Sequence, residues 1–208
     1  SIMEYFGVKH TWVDNVISVT KQAYIPKHFF VEADWSAASY FYSIASLAAE
    51  ADITLEGLFE SSLQGDSAIA KIAEHFGVTS YYGERTVRLQ KDSNVGRSEF
   101  IEYDFLKQPD IAQTVFAICA GLGVQGLFTG LQTLFIKETD RISAFQTELS
   151  KIQVFLSKVP PKFIEGKSQE YYMIDGHATF DTTPDFDTYQ DHRMALALAP
   201  LALHHPII

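Results

Sequence analysis

The feature that most constrains this chain is that it repeats itself at an offset of 70 residues. Phe6-Gly7-Val8 returns as Phe76-Gly77-Val78, each time behind a helical pattern and ahead of a hairpin-like one. Val31-Glu32-Ala33-Asp34 returns as Ile101-Glu102-Tyr103-Asp104, and both read as strands. Each is followed by a helix rich in small residues, over 36–50 and 109–122, and then by a short strand ending at Gly57-Leu58 or Gly130-Leu131. A second helix opens at Gln64-Gly65-Asp66 in one copy and at Glu138-Thr139-Asp140 in the other, where Asp66 and Asp140 are suitable N-caps. Behind them Ile69, Ile72 and Phe76, and likewise Ile142, Phe145, Leu149 and Ile152, recur at three- and four-residue steps, the stripe of a helix packed on one side.

A weaker third copy starts near Tyr171-Tyr172-Met173-Ile174 and has its helix over 191–203. The unit is therefore strand, helix, strand, helix, strand, strand, about 70 residues long. Such alternation predicts an α/β fold with helices packed on sheets. Small residues along one helix face (Ala37, Ala38, Ala45, Ala48, Ala49) predict helices packed closely together. The chain opens on Ser1-Ile2-Met3-Glu4-Tyr5-Phe6-Gly7-Val8, which reads as a helix end running into a strand, and closes on 202–208 within an apolar pattern. Neither is the usual polar, frayed terminus, so both ends read as cuts in a longer protein.

Composition narrows the function classes. A net charge of -10 over 208 residues, with no run of like charges, excludes a nucleic-acid surface and fits a solvated acidic exterior. Cations for an anionic ligand would have to be local and few. The single cysteine, Cys119, sits in an apolar run, so it reads as a buried hydrophobe and excludes an internal disulfide or a Cys-based zinc cluster. The longest apolar stretch, 114–130, is broken by Gly121, Gly123 and Gly126, too short for a membrane span. No targeting segment is evident, and a cytoplasmic location is expected.

Three clusters carry the candidate chemistry. Lys137-Glu138-Thr139-Asp140-Arg141 places two cations and a carboxylate around a helix start capped by Asp140. That arrangement suits an anion site, and equally a capped helix with surface ion pairs. Tyr189-Gln190-Asp191-His192-Arg193-Met194 puts an Arg and a His at another helix start, where His192 alone also suits a structural role. Asp110, behind Gln108-Pro109, occupies the first turn of the second unit's first helix, as an ordinary first-turn acid or as an acid–base group. Repeat symmetry should bring these helix starts to one rim, which favours a phosphate or carboxylate site.

In this order and within this repeat, the clusters resemble the 5-enolpyruvylshikimate-3-phosphate synthases. The likeness is carried by Val31-Glu32-Ala33-Asp34 with its following Ser-Ala-Ala-Ser-Tyr, Leu63-Gln64-Gly65-Asp66, Pro109-Asp110, Lys137 to Arg141 and Tyr189 to Met194. It runs along essentially the whole chain and implies one lobe of a two-lobed enolpyruvyl transferase fold. Residues 1–32 would be the tail of the first lobe and 33–208 the second lobe, its last repeat truncated. The chain would be the C-terminal portion of the enzyme.

The resemblance implies transfer of enolpyruvyl from phosphoenolpyruvate to the 5-hydroxyl of shikimate 3-phosphate in aromatic amino-acid biosynthesis, with no metal or organic cofactor. Those two small molecules and the absent first lobe would be its partners, with no nucleic acid and no membrane. Asp110 and Glu138 would be catalytic, Asp110 at the shikimate hydroxyl and Glu138 at the phosphoenolpyruvate methylene. Lys137 would bind the shikimate side. Arg141 and Arg193, with His192 beside them, would hold phosphoenolpyruvate. Thr133 stands where the family often has an Asn on the shikimate phosphate. With one wall of the cleft lacking, catalysis by the isolated chain is not expected. The alternatives are a relative acting on UDP-N-acetylglucosamine and a non-catalytic binding module of the same fold.

Overall fold

The structure, a computed structural model, describes residues 2–92, 96–164 and 169–208. Contacts divide the chain into two compact units, residues 1–31 and 32–208. The first holds helix α1 (Ile2–Tyr5) and a hairpin of β1 (Thr11–Val13) and β2 (Val16–Ser18), whose strands pair antiparallel from Thr11↔Ser18 to Val13↔Val16. Gly7, at φ 82°, turns the chain out of α1, so the expected helix end running towards a strand is present from Ile2 onward. Ser1 lies outside the described residues.

The second unit contains two copies of one topology. The first copy comprises α2 (Trp35–Leu47), β3 (Ala51–Glu56), α3 (Ile69–Ile72), β4 (Val78–Gly83) and β5 (Thr86–Lys91). The second comprises β6 (Phe100–Asp104), α4 (Ala112–Leu122), β7 (Gln125–Thr129), α5 (Arg141–Ser150), β8 (Val154–Lys158) and β9 (Tyr172–Gly176). The sheets run β3-β5-β4 and β6-β7-β9-β8, so in both the second hairpin strand is the inner one. The pairs β3/β5 and β7/β9 are antiparallel, whereas β6 runs parallel to β7. The strand at Tyr172–Gly176, expected to open a third copy, instead completes the second copy's hairpin, and the third copy supplies α6 (His192–Leu198), continued by a 3-10 turn over Ala199–Leu203. Its Ile208 donates to Pro184 O at 3.0 Å and accepts from Phe186 N at 2.8 Å, the exchange that begins a parallel ladder.

One expected strand is absent. Residues 31–34 form no strand: Ala33 N donates to Gly57 O at 2.8 Å, but the pairing goes no further, and the next backbone groups turn to side chains. The Glu32 carboxylate accepts from Trp35 Nε1 at 2.8 Å and Ser62 Oγ at 2.7 Å. The Gln64 amide donates to Ala33 O at 2.8 Å and accepts from Trp35 N at 2.9 Å. Asp34 instead caps α2, its carboxylate accepting from Ser36 N at 2.9 Å. The helix also ends at Leu47 rather than at residue 50. Local side-chain bonding of this kind competes with a sheet ladder.

The inner helices α2, α4 and α6 pack on one another, which the small-residue faces predict. Every residue of α4 is buried, including Cys119, whose thiol burial pushes far up from its usual range. Phe105, Phe116, Phe128 and Phe145 form a chain of tilted and edge-on rings beneath it. Among the described residues no helix is long and apolar enough to cross a membrane.

Candidate active site

Three chain segments deliver the site residues, each at the start of a helix. Gln108-Pro109 opens a 3-10 turn that sets Asp110 in front of α4, with Pro suited to a first turn that needs no donor there. Gly130, at φ 75°, turns the chain from β7 towards Lys137. A Cβ there would meet Leu106 N at 2.2 Å, so the position accepts glycine alone. Asp140 caps α5, accepting from Ser143 N at 3.0 Å. Asp191 caps α6, accepting from Arg193 N at 2.9 Å. All three capping aspartates, Asp34, Asp140 and Asp191, take the extended backbone an N-cap requires.

Asp110 is the meeting point. Lys137 Nζ lies 3.2 Å from its Oδ1, Arg141 Nη1 3.5 Å from the same oxygen, and Arg193 Nη2 3.4 Å from Oδ2. Arg193 Nη1 also donates to Asp110 O at 3.5 Å. Glu138 accepts from Arg141 Nη2 at 2.5 Å. Asp110, Glu138, Lys137, Arg141 and Arg193 therefore form one network from helix starts as much as 83 residues apart.

Arg141 sits deeper than the other two cations. It is only 1% exposed, and its Nε and Nη2 donate to the two oxygens of buried Asp191 at 2.7 and 3.3 Å. A planar fork on a carboxylate is the geometry that distinguishes Arg from Lys. Burial alone would raise the Asp191 carboxyl, but the Arg141 bonds and the Arg193 N–H outweigh it and hold it below the usual carboxylate range. A ligand entering from solvent would therefore meet Lys137, Arg193 and Asp110, which keep part of their surface, before it met Arg141.

His192 and Thr133 lie apart from this network. Both are exposed, His192 on the first residue of α6 and Thr133 in the 3-10 turn Gln132–Ile136, and neither joins the hydrogen bonds among the described residues. The cluster also contains groups with no role assigned from sequence. Tyr40, on α2, faces Arg193; burial raises its phenol, and the Arg193 charge and hydrogen bond oppose that rise. Asp66 accepts from Ser36 Oγ. Burial raises its carboxyl, the Ser36 bond opposes, and the nearby Asp110 charge raises it further. Asp191, read from sequence as the first residue of the helix over 191–203, is instead its N-cap. Its pairing with Arg141, 50 residues away, leaves no local trace.

The arrangement gathers three cations at one place, where an anion could compete for them. Three cations gathered on one carboxylate release part of their field when a ligand carboxylate or phosphate competes for them, and helix starts add N–H donors of the same sign. The carboxylates of Asp110 and Glu138 stand among these cations, each paired with at least one of them.

The fold is that of the enolpyruvyl transferases. An EPSP synthase structure from Acinetobacter baumannii superposes with a TM-score of 0.66 at 18% identity, over 97% of this chain and 46% of that one. The enolpyruvyl transferase NikO from Streptomyces tendae superposes with 0.54 at 12% identity, over 97% of this chain and 44% of that one. Residues 1–207 match the family model of EPSP synthase (3-phosphoshikimate 1-carboxyvinyltransferase), and the chain belongs to that family. A 3-phosphoshikimate 1-carboxyvinyltransferase of Bacteroides fragilis is 44% identical over all of this chain and 48% of its own length. One from Vibrio campbellii is 33% identical over 97% of this chain and 45% of its own. The chain thus spans about half the length of the curated relatives it matches. The match favours the shikimate reading over a relative acting on UDP-N-acetylglucosamine.

Proposed function

We propose that this chain supplies one wall of the cleft of a cytoplasmic 3-phosphoshikimate 1-carboxyvinyltransferase, whose other wall is the lobe lying outside residues 33–208. The observation that carries the reading is the convergence of Lys137, Arg141 and Arg193 on Asp110. Phosphoenolpyruvate carries two anionic groups, and Arg193, backed by Arg141, holds them by displacing Asp110 from the guanidinium groups. Lys137 binds the shikimate side, with Thr133 and His192 at the margins of the two subsites.

Asp110, freed from its cations, accepts the proton of the shikimate 5-hydroxyl as that oxygen attacks C-2 of phosphoenolpyruvate. Glu138 delivers a proton to C-3 in the same addition. Phosphate then leaves C-2 as the Glu138 carboxylate takes a proton back from C-3, which restores the double bond in the enolpyruvyl ether. Fixed cations stabilise both the addition and the departing phosphate, and the chemistry calls on no metal or organic cofactor.

The test has two arms. The isolated chain is expected to release no measurable phosphate from phosphoenolpyruvate and shikimate 3-phosphate, and robust turnover would overturn the one-wall reading. In the full-length enzyme, Arg193→Ala and Glu138→Gln are each expected to lower turnover by about two orders of magnitude or more. Near-normal rates would remove both from the site.

A further inference from the structure

α5 touches the segment before α6 at two points. Arg141, its first residue, pairs with Asp191. Seven residues on, two turns along the same face, Glu148 is only 1% exposed and accepts three hydrogen bonds. They come from Tyr189 OH at 2.8 Å, Asp187 N at 3.0 Å and Lys151 Nζ at 2.6 Å. Lys151 in turn donates to Asp185 O at 2.7 Å, so one buried carboxylate and its cation hold residues 185–189.

What they hold is strained. Tyr189 and Gln190 adopt φ of 54° and 55°, left-handed backbone that side chains disfavour, in two successive residues. This double turn aims Asp191 back at Arg141 while its carboxylate caps α6 and fixes Arg193 N. Strained backbone persists only where its surroundings over-determine it: Tyr189 N donates to Asp187 Oδ1 at 2.7 Å and Asp191 N to Thr188 O at 2.9 Å, and Glu148 anchors the segment from the side by Asp187 N and the Tyr189 hydroxyl. Burial and the Glu148 charge push the Tyr189 phenol up to about 12, so it stays a donor at all ordinary pH.

We infer that Glu148 and Tyr189 form a latch that positions the anion-binding arginines. Neither belongs to the cation cluster. Glu148 holds the Tyr189 ring, the ring holds the left-handed turn, and the turn places Asp191, which orients Arg141 and Arg193. The inference rests on the proposed enolpyruvyl transfer only for the identity of the anion the arginines bind.

The first test uses this chain and no substrate. Hydrogen exchange at Arg141 Nε–H is followed by NMR in Tyr189→Phe, which keeps the ring and removes one donor. Exchange is expected to speed up about tenfold while the amides of α4 keep their protection. Adding Gln190→Gly, which tolerates the left-handed turn, is expected to restore most of the protection. Unchanged exchange at Arg141, or equal loss of protection across α4, would overturn the latch.

The second test uses the full-length enzyme. Tyr189→Phe is expected to raise KM for phosphoenolpyruvate about tenfold and to leave KM for shikimate 3-phosphate within about twofold. Equal weakening of both substrates would mark a merely structural residue. A wild-type enzyme that consumed no phosphoenolpyruvate would defeat the proposed function, and the exchange measurement would still decide the latch.

Discussion

The first and second copies of the repeat share a sheet order but differ where the second helix begins. In the second copy, Asp140 caps α5, which then runs unbroken from Arg141 to Ser150. In the first, the corresponding stretch is a 3-10 turn over Gly65–Ala68, a single α turn over Ile69–Ile72 and another 3-10 turn over Ala73–Phe76. Asp66 is equivalent to Asp140 in sequence but is not a cap. Its carboxylate is taken by Ser36 Oγ, and the preceding Gln64 spends its amide on Ala33 and Trp35. An uncapped helix start tightens into 3-10 geometry. The regular helix belongs to the copy that presents cations, because Arg141 finds its anions elsewhere and leaves Asp140 free to cap.

The largest contrast should come from removing Arg141 and, separately, Ser36. Arg141→Ala strands the buried Asp191 carboxylate and is expected to cost about 3–5 kcal/mol in urea unfolding. Ser36→Ala deletes a partner of Asp66 in the first copy and should cost no more than about 1–2 kcal/mol. Comparable losses would mean that the two helix starts are held by similar forces. The same pair separates by pH. Asp191 has a depressed folded value, so it stabilises the fold above its unfolded value near pH ~3.9 and loses that contribution as pH falls through the lower folded value. Asp191→Asn should therefore flatten the acid limb of a stability–pH curve below about pH 4. Asp66 has a raised carboxyl, opposite in sign, and Asp66→Asn should leave that limb no flatter.

Capping sharpens the comparison at a smaller scale. Asp140→Ala is expected to destabilise by about 1 kcal/mol, and Asp66→Ala by less, since only the first carboxylate serves backbone donors. Equal thermal shifts would place Asp66 in a capping role after all. The smallest expected effect lies where these helices end. Gly77, at φ 85°, closes the first copy, while Gln153, at φ 61°, closes the second with a side chain in left-handed backbone. Gln153→Gly is expected to stabilise by about 0.5–1 kcal/mol, and Gly77→Ala to destabilise by at least as much. A destabilising Gln153→Gly would show that the side chain's contacts outweigh its backbone strain.

The repeat, the order of its elements, the burial of Cys119 and the cap at Asp140 were legible in the sequence. They depend on spacing and on neighbours within a turn, and such signals are written locally. The same locality explains two of the misreadings. Val31–Asp34 carries a strand's residue types, and Asp66 a cap's, but the Gln64 amide takes Ala33 O and Ser36 takes the Asp66 carboxylate, partners that only folding brings near. The rim of helix starts was legible too, through Asp110, Lys137, Glu138, Arg141 and Arg193, because repeat symmetry carries each unit's helix starts to a common side.

Only the tertiary structure decided how those residues divide their work. The family resemblance treats Arg141 and Arg193 as a matched pair of clamps. The fold buries Arg141 against Asp191 and leaves Arg193 and Lys137 on the solvent side of Asp110. It also brings Glu148 under Tyr189, 41 residues on, to hold a left-handed turn that no local pattern announces. A charge's role follows from its depth and its partners, and packing between distant segments sets both.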